Sequence, residues 1–301
     1  PKLIPKGRYG ISVWVEVLRD KYFSYRPTER LLASLRLLGL DRAPGTVNDG
    51  LKQLEVLLRP IYEALKKRNC QGDLHQGDET RWRGFIALEG KQGSVWWLWV
   101  VLGRDPVIYL LEASRSHTVP ENPFRAESRG VLMVDRYSGS KAMIWVKDGV
   151  LVLAFCWAQV RRDFLRVGKG WPELKTWALE WLRRIRVLYR LNGDRLTVQK
   201  DAAAFGEADG RLRQAVTEMK TEMETELVRA DLATPCRKAL ESLQGHWEGL
   251  TRFVDDPRIP RDNNASERRE RGPAVARKNF YGSGSLWSGP QAAAMFSICA
   301  T

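Results

Sequence analysis

Two uninterrupted apolar runs, Val95–Leu102 and Val150–Ala158, constrain the fold of this chain most strongly. Both are far shorter than the roughly 18 residues that a membrane-spanning helix requires. Each run therefore predicts a buried strand. A strand that is apolar at consecutive positions has both of its faces covered, which is typical of a mixed sheet with helices packed against it. We predict an α/β fold without a membrane segment.

Strand-like and helical patterns alternate along the sequence in blocks. The strand-like runs are separated by Gly, Pro or charged turns, and the short links between the first of them indicate an antiparallel meander. These runs are DLHQGDETRW, GFIALEG, SVWWLWVVLG, PVIYLLEAS, GVLMVDRY and VLVLAFCWA. Helical spacing dominates residues 28–69, where Thr28 and Thr46 are predicted N-caps, and returns after Ala158.

This alternation predicts four regions: an N-terminal helical lead-in (1–70), the first part of a sheet-containing core (71–167), an all-helical insertion (168–250) and the last part of that core (251–301). Within the insertion, Trp177 and Trp181 are four residues apart and share a helix face, which favours burial over stacking on an unpaired base.

The chain is strongly basic. It carries 49 Lys and Arg against 36 Asp and Glu, a formal charge of +13. This excess favours a polyanionic partner, nucleic acid before membrane, although a merely soluble basic protein is the alternative. The four scattered cysteines form no CxxC pair and fit a reducing cytosol, with neither disulfides nor structural zinc. The first residue is Pro1, which is typical of a fragment.

Three acidic residues are candidates for chemistry. Asp78 lies in the first strand-like run and Asp135 at the end of GVLMVDRY, although Asp135 could equally cap the following turn. Glu267 lies on a predicted helix that Asp262 or Asn263 would cap and Pro273 would end. Carboxylates from two strands and a helix could converge on a pair of Mg²⁺ ions, which prefer oxygen ligands and promote phosphoryl transfer.

Four motifs carry a family resemblance. HQGDETRW, MVDRYSGS, CWAQVRRDF and RDNNASERRERGPAVARKNFYGSG resemble the catalytic region of the bacterial insertion sequence 66 family of transposases, and the resemblance spans roughly Tyr22 to Thr301. It implies a ribonuclease H-like fold with an Asp-Asp-Glu metal triad at Asp78, Asp135 and Glu267. It also implies cleavage at the ends of a mobile element and joining of the freed 3′-hydroxyls to target DNA, with two Mg²⁺ ions for which Mn²⁺ can substitute.

The resemblance has consequences for partners and location. Joining two element ends implies a homodimer on DNA. The family resemblance also implies small accessory proteins encoded by the element and a cytoplasmic, nucleoid-associated location in a bacterium. One departure is Gln159, which stands where the family commonly has His after CWA. Family members also carry an upstream DNA-binding region, so we expect recognition of the element ends to lie in a segment before Pro1.

Basic and amide residues around the proposed triad are the predicted DNA contacts, because guanidinium groups bind phosphates with bidentate geometry. A solvated basic helix face is the alternative interpretation. The predicted contacts are Arg161, Arg162, Asn263, Asn264, Arg268, Arg271, Arg277 and Lys278. Tyr137, two residues after Asp135, would either face the substrate or pack against the sheet.

The excess of positive charge argues against a metal hydrolase for a small phosphorylated substrate, and three functions remain open from the sequence. The first is a DNA transposase that cleaves and joins strands. The second is a catalytically impaired transposase remnant that only binds DNA, which Gln159 favours. The third is a ribonuclease H-like nuclease that cleaves without joining, since the triad alone does not distinguish water from a 3′-hydroxyl as the nucleophile.

Overall fold

The structure, a computed structural model, describes residues 2–5, 7–86, 94–116, 118–125, 128–136 and 138–301. Its first helices are α1 (Ile11–Leu18), a π-helical turn (Arg19–Phe23), α2 (Thr28–Leu37) and α3 (Pro44–Cys70). The sheet region contains β1 (Leu74–Arg83), β2 (Val95–Leu102), β3 (Val107–Glu112), α4 (Thr118–Glu121), β4 (Gly130–Val134), α5 (Ser138–Ala142), α6 (Ile144–Lys147) and β5 (Leu151–Phe155).

Helices make up the rest of the chain. They are α7 (Trp157–Gly170), a 3₁₀ turn (Pro172–Leu174), α8 (Lys175–Thr197), α9 (Ala202–Leu227), α10 (Thr234–Gln244), α11 (Trp247–Asp255), α12 (Asn264–Phe280) and α13 (Ser288–Ala300). None of the helices in the described ranges is long and apolar enough to cross a membrane.

The five strands form one mixed sheet in the order β3-β2-β1-β4-β5, flanked by helices, which confirms the predicted α/β fold. β1 pairs with β2 and β2 with β3, both antiparallel, as the meander prediction required. The run GFIALEG does not form a strand over 84–86, and its last residues lie outside the described ranges. Gly84 instead forms an isolated bridge with Ser283, whose carbonyl accepts the Phe85 N–H at 2.8 Å.

The chain divides into two compact units. Unit 1 contains Pro1–Leu132, Ser138–Val152 and Asn264–Thr301, and unit 2 contains Met133–Tyr137 and Leu153–Asn263. In unit 1, α13 packs against β3 and α3, and α12 packs against β1. The buried side chains between them include Trp82, Val100, Leu54 and Phe296, so the N-terminal helices, the meander and the last two helices share one apolar core.

Unit 2 is built mainly from α7 to α11. The rings of Phe164 and Trp181 stack with centroids 5.4 Å apart, and Trp181 is fully buried. Both Trp177 and Trp181 donate their indole N–H groups to the carboxylate of Glu226, at 2.5 and 3.1 Å. The predicted burial is confirmed for Trp181, whereas Trp177 is half-buried and packs beside it. The domain bounds predicted at residues 70, 167 and 250 stay a prediction.

Three predicted helix ends are wrong. The N-cap of α2 is Pro27 and not Thr28, whose hydroxyl accepts a hydrogen bond from Lys21 Nζ at 3.1 Å instead of capping the helix. The predicted cap Thr46 lies inside α3, which begins at Pro44 because proline suits the first turn of a helix. Pro273 does not end α12, which continues to Phe280.

Candidate active site

Two adjacent carboxylates lie in the middle of β1. Asp78 pairs across the sheet with Val100, and its Oδ1 accepts the backbone N–H of Glu79 at 3.0 Å. Glu79 is 7% exposed and forms an ion pair with Arg115, whose Nε lies 3.0 Å from Glu79 Oε1. The Arg115 guanidinium in turn lies 4.6 Å from the centre of the Trp97 ring. The Arg115 cation therefore offsets part of the negative charge of Glu79.

Helix α12 carries two further carboxylates against this strand. Glu267 lies in its first turn, and Glu270 lies three residues later, so both share one helix face. Burial, together with the negative charges of Asp78, Glu79 and Glu267, raises the pKa of the Glu270 carboxyl to about 9. Glu270 Oε1 is buried, and no described residue hydrogen-bonds to it. Asp78, Glu267 and Glu270 thus form an electrostatically coupled acidic cluster within unit 1.

The position of α12 depends on side chains from distant parts of unit 1. Arg277 donates to the hydroxyl of Thr80 at 3.3 Å and to the carbonyl of Arg81. Asn279 Nδ2 donates to the carbonyl of Tyr25 at 2.6 Å. These bonds hold the C-terminal half of α12 along β1 and thereby fix the face that carries the two glutamates.

Asp135, the other predicted triad member, directly follows β4, the neighbour of β1 in the strand order. It is half-buried and belongs to unit 2. The next residue, Arg136, forms an ion pair with Asp163 of α7 and donates to the hydroxyl of Ser242 of α10 at 2.7 Å. The helical unit therefore holds the backbone that carries Asp135. Tyr137 lies outside the described residues.

The acidic cluster fits a divalent cation in charge and donor type. Asp78 and Glu267 offer hard carboxylate oxygens, and the pKa of Glu270 is raised first by burial and then by the negative charges of Asp78, Glu79 and Glu267. No group of three or more His, Cys, Asp or Glu side chains in the described ranges is arranged to hold a metal ion. The complete ligand set of Asp78, Asp135 and Glu267 therefore stays a prediction.

The predicted DNA contacts fall into two groups. Arg268, Arg271 and Lys278 are exposed on α12 in unit 1, and Arg161 and Arg162 are exposed on α7 in unit 2. The others are less accessible: Arg277 is half-buried against β1 and Asn264 is half-buried, whereas Asn263 is buried and its N–H donates to Cys156 Sγ at 3.2 Å.

Glu270 is the functional candidate that sequence reasoning missed. The spacing of Glu267 and Glu270 on a helix was visible in ERRE, and it places both side chains on the face that contacts β1. The four cysteines are free thiols, as expected, and three of them are buried.

Comparisons with known proteins identify the family of this chain. Residues 6–291 match the family described as Transposase IS66 family. Three curated relatives come from Sinorhizobium fredii (strain NBRC 101917 / NGR234), each described as an uncharacterized protein. Protein y4hP is 25% identical to this chain over 99% of the chain and 57% of its own length. Protein y4jD is 30% identical over 97% of the chain and 59% of its own length. Protein y4qI is 26% identical over 96% of the chain and 58% of its own length.

The chain thus spans less than two thirds of the length of the curated relatives it matches. The family match covers almost all of the chain, including β1, β4 and α12 with the three predicted triad residues. This chain belongs to the IS66 family of transposases.

Proposed function

We propose that this chain is the catalytic region of a DNA transposase that cuts the ends of a mobile element and joins their 3′-hydroxyls to target DNA. The observation that carries the proposal is the coupled acidic cluster of Asp78, Glu267 and Glu270 on β1 and α12. Close carboxylates in a partly buried position are costly to ionise together, so a divalent cation would stabilise the cluster, and such cations promote in-line phosphoryl transfer. Family membership and the basic charge of the chain support DNA as the substrate.

Asp78, Asp135 and Glu267 are the proposed ligands of two Mg²⁺ ions, with Mn²⁺ as a substitute, in a ribonuclease H-like arrangement. Bound there, the ions would activate the attacking hydroxyl and stabilise the leaving oxygen during in-line displacement at phosphorus. The protein's own contribution is to hold the carboxylates: β1 fixes Asp78, the packing of α12 fixes Glu267, and the Arg136–Asp163 ion pair fixes the end of β4.

The exposed arginines serve the same substrate. Arg268 and Arg271 lie on the helix of Glu267, so they would bind phosphates that flank the scissile bond. Arg161 and Arg162 near the start of α7 would bind phosphates from unit 2. Joining of two ends further leads us to propose that the protein acts as a homodimer on DNA, together with accessory proteins encoded by the element.

The test is a cleavage and strand-transfer assay on element-end DNA with Mg²⁺, Mn²⁺ or EDTA. Asp78→Asn, Asp135→Asn and Glu267→Gln are each expected to abolish joined products while DNA affinity is retained. Glu29→Gln, which alters an exposed carboxylate of α2, is the matched control and is expected to be fully active. A fully active triad variant would remove that residue from the site.

The same assay separates the alternatives. Metal-dependent cleavage without joined products identifies a nuclease. DNA binding without cleavage identifies a remnant, and restored cleavage in a Gln159→His variant would then assign the loss to that position. Gln159 lies in the first turn of α7 and is half-buried.

A further inference from the structure

A cavity of about 430 Å³ opens in unit 1, beside the loop that links α12 to α13. This volume lies within the roughly 300–1,000 Å³ range of sites for small organic ligands. Its lining combines one cation, one carboxylate, three aromatic side chains and several hydroxyl or amide groups. The residues used below are Lys21, Asn48, Asp49, Phe280, Ser285 and Trp287.

The cation of the cavity is Lys21, in the π-helical turn after α1. Its ammonium group donates to the Thr28 hydroxyl at 3.1 Å and lies 4.6 Å from the centre of the Phe280 ring. Desolvation lowers its pKa. Among the described residues it forms no ion pair, even though Asp49 lines the same cavity. An ammonium group has three N–H donors, so Lys21 retains donors for an anionic ligand.

The loop between α12 and α13, which forms one wall of the cavity, is held by hydrogen bonds. Ser283 is buried and makes three hydrogen bonds to β1 and the residues just after it. Its N–H donates to the Arg83 carbonyl at 2.8 Å, and its carbonyl accepts the Phe85 N–H at 2.8 Å. Its hydroxyl accepts the indole N–H of Trp82 at 3.1 Å. Gly282 has φ +146°, and a Cβ there would lie 2.1 Å from the Arg83 carbonyl oxygen. Only glycine therefore allows this approach of the loop to β1.

These groups match the chemistry of a single nucleotide. A phosphate would pair with Lys21, a base would pack against the rings of Phe280 and Trp287, and an exocyclic amino group of the base would donate to Asp49. Asn48 and the Ser285 hydroxyl can satisfy the remaining polar atoms. Tyr281 beside the cavity is 67% exposed and has φ +64°, a strained conformation of the kind that occurs at ligand sites.

We propose that this cavity binds one unpaired nucleotide of a DNA strand, with cytosine or adenine preferred over thymine because of Asp49. The inference rests on the proposed function, since it takes the nucleotide from the DNA substrate. A base must leave the duplex stack to enter such a cavity, so the site favours single-stranded or frayed DNA over a blunt duplex.

The experiment measures binding of labelled oligo-dC, oligo-dT and a blunt duplex to the full chain. Lys21→Met is expected to weaken oligo-dC binding about tenfold, the loss typical of one base or phosphate contact. Lys67→Met removes an exposed lysine at the end of α3 and is the control for the change in net charge. Lys21→Arg should retain most of the affinity. Equal losses for Lys21→Met and Lys67→Met would overturn the proposal.

Asp49→Asn provides a second readout that does not depend on Lys21. Asp49 is exposed, so its substitution leaves the core intact, and the preference for oligo-dC over oligo-dT is expected to disappear. An unchanged preference would contradict the role of Asp49. If free dCMP saturates the cavity while Lys21→Met leaves oligo-dC binding unaffected, the site takes free nucleotides and the assignment to DNA strands fails.

The duplex arm separates this inference from the proposed function. If the wild-type chain binds neither duplex nor single strands, DNA is not the substrate and both fail. If it binds the duplex but Lys21→Met has no specific effect on oligo-dC, only the nucleotide site fails.

Discussion

The hydroxyl of Tyr109 on β3 donates a 2.7 Å hydrogen bond to the backbone carbonyl of Arg269 in α12. This is the carbonyl that the residue four positions later would normally bond in an α-helix, and that residue is Pro273, which has no N–H. Tyr109 therefore supplies the hydrogen bond that proline removes. This is the physical reason why α12 continues through Pro273 and does not end there.

Tyr109→Phe tests this arrangement. The substitution leaves the Arg269 carbonyl without a partner, so the free energy of unfolding should fall by about 1–3 kcal/mol. Urea unfolding followed by circular dichroism measures the change. Tyr281→Phe removes an exposed hydroxyl and is the control, for which we expect no change. Equal stability of Tyr109→Phe and the wild type would show that α12 tolerates Pro273 without Tyr109.

Glu270→Gln tests the coupled acidic cluster. The folded protein keeps a proton on Glu270 up to a pKa of about 9, whereas the ordinary pKa of a glutamate, which applies to the unfolded chain, is 4.5. Stability should therefore fall as pH rises between these values, because only the unfolded chain releases the proton freely. In EDTA, the Tm of Glu270→Gln is expected to exceed that of the wild type. The difference in Tm should grow between about pH 5 and about pH 8, since both values lie between the two pKa values.

The control for this series is Glu29→Gln, an exposed carboxylate. Its Tm should follow the wild type at every pH. A Tm difference for Glu270→Gln that is independent of pH would contradict the raised pKa, and a lower Tm at all pH values would indicate that the ionised carboxylate stabilises the fold.

Glu226→Ala tests the core of unit 2. Glu226 accepts the indole N–H groups of both Trp177 and Trp181, and its loss leaves two donors without their acceptor. A buried donor without a partner costs about 1–3 kcal/mol, so the loss at the fully buried Trp181 alone should lower the free energy of unfolding by that amount, and the half-buried Trp177 should add less. Glu226→Gln, which retains one acceptor oxygen, should cost less. Tryptophan fluorescence during denaturation measures both, and a neutral Glu226→Ala would contradict the assignment.

The salt dependence of DNA binding tests the exposed arginines of α12. The logarithm of the DNA binding constant falls linearly with the logarithm of the salt concentration. Each phosphate contact that is lost should make this slope less negative by about one. We expect this change for Arg268→Ala and for Arg271→Ala. Arg277→Ala is the contrast, because its guanidinium bonds to Thr80 and Arg81 of β1, so it should lower stability and leave the slope nearly unchanged. Unchanged slopes for Arg268→Ala and Arg271→Ala would favour a solvated helix face.

Periodicity alone predicted the sheet, the strand that carries Asp78, the strand that ends before Asp135, and the helix that carries Glu267. These features depend on residues close to one another in sequence, so local patterns indicate them. Family resemblance then identified which of 36 acidic residues to consider together.

The remaining features depend on partners far away in sequence. The sequence predicts that Pro273 ends α12, because proline cannot donate a hydrogen bond to the Arg269 carbonyl. The replacement donor is the Tyr109 hydroxyl, which is 160 positions from Arg269 and invisible to local patterns. Glu270 was overlooked because its burial arises only when α12 packs on β1. Thr28 is the exception, because its partner Lys21 is only seven residues away, but the hydroxyl binds this side chain and not the backbone N–H groups of its helix.

The most direct test of the proposed catalytic centre is a crystal structure of the chain grown with Mn²⁺ and an element-end DNA, with the ions located by anomalous scattering. We predict two Mn²⁺ ions bound by Asp78, Asp135 and Glu267 next to the scissile phosphate, and the loss of at least one ion in Glu267→Gln crystals. Ions bound elsewhere, or full occupancy in Glu267→Gln crystals, would contradict the proposed site.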